Sequence, residues 1–175
     1  MAGSLKKLHN ITVSSVSSVD LGGANYDNSY NVYLVKLYDV KVDTDNENMR
    51  IRVLKASDNT ADTTSNYDAA TKTLRSDTTF NSGTGQGSTS WSLSNTGTGT
   101  YEYSASTIYL FNFNDANHNS FITQDAMYLH SSNSTLFGQV GGGMHTVAQL
   151  CSGLNFFENG GATFSGTFVL YGLKK

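Results

Sequence analysis

Residues 30–40 read YNVYLVKLYDV, and the run is apolar on both faces at a period of two. Tyr30, Val32, Leu34, Tyr38 and Val40 fall on one side, and Tyr33, Val35 and Leu37 on the other. Such a run is expected to form a central strand buried on both sides. The stretch ahead of it, Tyr26-Asp27-Asn28-Ser29, is turn-like. Residues 48–56 alternate more simply, with Met49, Ile51 and Val53 on one face and Arg50 and Arg52 on the other. That is a strand with one wet face. The connection DVKVDTDNEN ends in turn residues, so the two runs are expected to pair antiparallel.

Composition extends this reading to the rest of the chain. Ser, Thr, Asn and Gly are abundant, aromatics make up 11%, and there is no proline, where about 5% is ordinary. Aromatic and β-branched residues suit pleated, half-buried surfaces. Gly, Asn, Asp and Ser suit turns, because they accept positive φ or hydrogen-bond their own backbone.

Further strands are expected at WSLSN, ASTIYLFNFN, FITQDAMYLH, residues 145–151, residues 154–157 and TFSGTFVLYGLKK. Gly172, inside the last of these, suggests a bulge or a close neighbour. Residues 66–75 have helical spacing at Tyr67, Ala70, Thr71 and Leu74, with an irregular strand as the alternative. NSGTGQGSTS reads as a flexible loop. Gly141-Gly142-Gly143 reads as a tight turn or a close backbone approach. The sum is an all-β protein: a two-sheet antiparallel β-sandwich of jelly-roll type, one domain over residues 1–175.

Charge and cysteine usage narrow the function classes. The net charge is -3, only 14% of residues are charged, and no Lys/Arg cluster occurs. Nucleic acid is therefore not an expected partner. No apolar run approaches the ~18 residues of a membrane span, so membrane insertion is not expected. The opening MAGSLKKLHNITV lacks the apolar core and cleavage site of a secretory signal. Cys151 is the only cysteine, which excludes an intramolecular disulfide framework and suits assembly in a cytoplasm.

Three motifs bear on chemistry. DANHNSFITQDA, residues 115–126, has the oxygen rhythm of a calcium loop, with Asp115 first and an aliphatic Ile122 eighth. Its sixth position is Ser120 where Gly is needed, and its twelfth is Ala126 where a bidentate Glu is needed. It is expected to be a hairpin tip rich in Asx turns, with no metal and no other cofactor. Catalytic signatures are lacking: His9, His118, His130 and His145 share no metal-ligand spacing, and no G-x-S-x-G elbow exists. A carboxylate pair of Glu102 and Glu158 has only its residue types in its favour. The expectation is a protein that is not an enzyme. Finally, Trp91, Tyr101 and Tyr103 lie in the Gly/Thr-rich middle region. Planar aromatics among Asn and Asp make a sugar platform, or they fill the core or a subunit interface.

Three segments carry a family resemblance: LKKLHNITVSSVSSVDL, YDNSYNVYLVKLYDVKVDTDNENMRIRVL and ATFSGTFVLYGLKK. They resemble the opening, core and ending of small virion-associated structural proteins of tailed bacteriophages. The resemblance implies a folded piece of the virion, such as a tail fibre, an appendage or a capsid-decorating component, assembled in the host bacterial cytoplasm. It implies a homo-oligomer, with a trimer favoured, that contacts other virion proteins. Residues 1–9, Met1 to His9, are the candidate docking segment. The alternative function is a carbohydrate-binding module or receptor-binding tip for host attachment. It would recognise host surface polysaccharide through Trp91, Tyr101 and Tyr103.

Overall fold

The two-residue alternation is realised as twelve strands in a computed structural model that describes residues 4–77, 80–130 and 135–174. In chain order they are β1 (Ser4–Val16), β2 (Ser18–Gly22), β3 (Val32–Val42), β4 (Glu47–Lys55), β5 (Tyr67–Arg75), β6 (Asn81–Ser88), β7 (Trp91–Thr96), β8 (Ser104–Phe111), β9 (Ser120–Leu129), β10 (Leu136–His145), β11 (Cys151–Glu158) and β12 (Phe164–Lys174). Among the described residues, one 3-10 turn occurs, at Gly23–Asn25.

The strands form two antiparallel sheets, an all-β sandwich. One has eight strands in the order β1-β12-β3-β8-β9-β10-β5-β6, and the other four, β2-β11-β4-β7. Pairs between distant segments are nested: β1 with β12, β2 with β11, β3 with β8 and β4 with β7. One face of each sheet supplies the core. Val35, Leu37, Ile108, Leu110, Ile122 and Phe168 come from the large sheet, and Leu21, Ile51, Val53, Trp91, Leu154 and Phe156 from the small one.

Several expectations need correction. β3 and β4 do not pair; they belong to different sheets. The polar turn between them carries the chain across the sandwich, and local sequence does not distinguish a hairpin from such a crossing. β3 is buried on both faces only near its start, since Lys36 and Tyr38 point to solvent. Tyr67–Arg75 form strand β5, the alternative to the helical reading, and the Gly/Ser run forms edge strand β6. The Gly141–Gly143 run lies inside β10, so the close approach is real and the turn is not. A Cβ on Gly143 would stand 2.3 Å from the Trp91 indole nitrogen. Residues 146–150 are a loop between β10 and β11. Gly172 has its close neighbour, since a Cβ there would meet the Tyr30 ring at 2.5 Å, but the bulge of β12 is at Gly166. Of the candidate docking segment, residues 1–3 lie outside the described residues, and residues 4–9 are built into β1 against β12.

Candidate binding surfaces

The three aromatics singled out above are not together. Trp91 is 1% exposed, in the core. Its indole N–H donates to the Asp68 carbonyl at 3.0 Å, and its ring meets Tyr67 edge-on at 4.9 Å. A residue so placed cannot stack on a sugar, so Trp91 is withdrawn from the platform. Tyr101 is 81% exposed and Tyr103 45% exposed.

Tyr103 lines a cleft of about 290 Å³ together with Ser15, Asp39, Lys41, Asp43 and Ser165. The cleft exists because three neighbouring strands bulge at one level. β1 slips between Val13 and Val16, β12 between Ser165 and Thr167, and β3 between Leu37 and Val40. Each bulge places a residue at positive φ: Ser15 at 51°, Asp39 at 55° and Gly166 at 158°. Positive φ is uncommon for residues other than glycine, and such strain clusters at functional sites. The Lys41 ammonium sits 5.3 Å from the centre of the Tyr103 ring and donates to the Gly99 carbonyl at 2.8 Å. Asp43 accepts the Thr163 N–H at 2.9 Å and also the Thr163 hydroxyl. That hydroxyl is the main reason the Asp43 carboxyl lies below its ordinary range.

The outer face of the eight-stranded sheet is the second surface. Tyr109 alternates with buried Ile108 and Leu110, and Met127 with buried Ala126 and Tyr128. Tyr38, Tyr109, Phe121 and Met127 are each between 38% and 44% exposed. They sit on the adjacent strands β3, β8 and β9. Register puts Val32 and Phe121 on either side of Phe111, and Leu34 and Thr123 on either side of Tyr109. Tyr109, Phe111 and Phe121 thus adjoin, and the row of Lys36, Thr107 and Asp125 separates them from Met127 on the same face. The outer face of the small sheet differs. There the Arg52 guanidinium covers the Phe157 ring at 3.9 Å, and Asn155 donates to Asp20 at 2.7 Å.

The remaining motifs resolve into structural roles. DANHNSFITQDA joins β8 to β9, and its last residues are part of β9. Asp115 accepts the Asn117 N–H at 2.8 Å and lies 2.8 Å from His118 Nδ1. The Asn117 contact is the larger cause of its lowered pKa. Among the described residues, no three His, Cys, Asp or Glu side chains gather as a metal site. Glu158 accepts the N–H groups of Gly160 and Ala162, capping its turn. The carboxyl that it hydrogen-bonds is that of Glu47, which is pushed up in pKa as a result. Glu102 instead accepts the Gly99 N–H at 2.7 Å.

One buried polar pair had no sequence signal. His145 Nε2 lies 2.8 Å from Asp62 Oδ2, although the two are 83 positions apart in the chain. Asp62 also accepts the Thr64 N–H at 2.9 Å. Burial pushes its carboxyl up, but hydrogen bonds from Thr64, His145 and Asn66 outweigh that and hold it at about 2.

No helix among the described residues is long and apolar enough to cross a membrane. In comparisons with known proteins, no family model matches the chain, and no curated protein or solved structure matches it.

Proposed function

We propose that the protein is a structural component of a tailed bacteriophage particle. It would act as a homo-oligomeric sandwich in a tail, fibre or head appendage and contact other virion proteins. The observation that carries this reading is the uncovered patch of Tyr38, Tyr109, Phe121 and Met127 on the large sheet. Large apolar side chains gathered uncovered on one face mark interaction sites. The resemblance of the opening, core and ending segments supports the particle assignment. The nested strand pairing supports the jelly-roll reading, with β5, β6, β9 and β10 as additions that widen one sheet. On this reading the protein works by binding, without catalysis, nucleic acid or membrane insertion, after assembly in the host bacterial cytoplasm.

The test is mass spectrometry of purified particles, followed by cryo-electron microscopy to locate the density. The expected result is the chain in regular, stoichiometric copies. Its absence from the particle would overturn the reading.

The cleft beside Tyr103 favours a second reading, recognition of host surface polysaccharide. An exposed aromatic ring beside Asp39, Lys41 and Ser15 offers both apolar stacking and hydrogen bonds to a sugar. Titration with that polysaccharide is expected to show about five- to tenfold weaker binding for Tyr103→Ala, the loss of roughly 1–1.5 kcal/mol of aromatic contact. Unchanged affinity would remove this site.

A further inference from the structure

The apolar patch on the large sheet carries two opposite charges in a telling position. Lys36 on β3 and Asp125 on β9 are both register partners of Thr107 on β8. They therefore flank β8 at one level, two strand spacings or about 9.6 Å apart. Among the described residues, no ion pair uses either of them. A groove of about 360 Å³ runs between them, with Tyr38 and Met127 on the same two sides.

We propose that this face pairs with the same face of a second copy, about a two-fold axis parallel to β8. The inference rests on reading the patch as an assembly surface, and it names the partner. A two-fold along β8 turns the face over and exchanges its left and right sides. Lys36 then lies over the partner's Asp125, and Asp125 over the partner's Lys36. Stacked sheets are about 10 Å apart, a gap that a lysine and an aspartate side chain can bridge together. The same operation sets the Tyr38 ring against the partner's Met127 thioether, a favourable contact. It also lays Tyr109 on its own copy.

Charge selects this axis over the alternative. A two-fold perpendicular to the strands at that level would place Lys36 on Lys36 and Asp125 on Asp125. The face is also large enough. With the axis on β8, seven strands overlap; at ~4.8 Å each and eight residues at ~3.4 Å they give roughly 900 Å², against the ~800 Å² per partner of a standard interface. Such a contact is isologous and closes on itself.

Charge-swap sedimentation equilibrium of the full chain tests the pairing. Wild type is expected to be a dimer. Lys36→Glu and Asp125→Lys should each weaken it at least about tenfold, because each creates two like-charge contacts across the interface. The double variant should return to within about threefold of wild type, as restored complementarity requires. Circular dichroism checks that each variant folds. If a charge reversal prevents folding, Tyr38→Lys, Met127→Glu and their combination probe the neighbouring contact with the same pattern expected. A monomeric wild type, a trimer, or a double variant no better than the singles overturns the two-fold pairing. The particle reading is decided separately, by whether the chain is found in virions.

Discussion

At the scale of single residues, Trp91 shows how composition and position part company. A tryptophan among Gly, Ser and Thr suggests an exposed platform, but in WSLSN the alternation already places Trp91 and Leu93 on one side. Both are buried. Gly143 makes room for the indole. Trp91→Ala should therefore cost about 3–5 kcal/mol in stability, read from the urea midpoint. Any loss of saccharide binding in that variant should track unfolding. Asp62 gives a prediction in pH. Its carboxyl moves from the ordinary 3.8 to about 2 on folding. A depressed acid contributes stability that is complete above its unfolded value and fades as pH falls through its folded one. About 2 kcal/mol should thus be lost between roughly pH 4 and pH 2. Urea unfolding across that range should show a shallower acid limb in Asp62→Asn. Neither Asp62 nor His145 was legible as a partner, because the contact joins residues that share no motif.

At the scale of elements, legibility followed apolar alternation. β4, β8, β9 and β12 announce themselves because one face of each must enter the core. β6 does not: NSGTGQGS carries no apolar row, and as an edge strand its pairing with β5 is backbone hydrogen bonding with little packing. The Tyr103 cleft was legible only in Tyr103 itself; Ser15 and Asp39 come to it through bulges, which insert a residue without any change of composition. The β3 bulge is testable. Beyond Asp39, Val40 and Val42 point inward, where each is 1% exposed. Deleting Asp39 should leave both valines inward, since Leu37 and Val40 then stand two residues apart. Asp39→Val, which keeps the extra residue but resists its φ of 55°, should instead cost roughly 1–3 kcal/mol. Thermal denaturation followed by circular dichroism will show it as a lowered melting temperature.

At the scale of the whole molecule, the fold class was legible and the partition into sheets was not. Alternation tells which residues of β3 and β4 point inward, but it does not tell which sheet they point from. That depends on β11 and β12, which separate β2 from β4 and β1 from β3. A chain ending at residue 150 lacks both wedges. It should show no cooperative unfolding transition and no near-ultraviolet dichroism, and it should bind a hydrophobic dye. Pairing between the two ends of the sequence also places this protein among slow folders, with refolding in milliseconds to seconds measured by stopped flow.

The register between the first and last strands has a mechanical side. Ser4 lies opposite Lys174, and the pairing runs from there to Val16 and Phe164. Force applied to the two ends would meet the hydrogen bonds one at a time, as a zipper, and open β1 from β12 at low load. Force applied between the large sheet face and one end would instead strain many of those bonds together, in shear. A protein anchored by its sheet face would resist a pull that one tethered by its two ends would not.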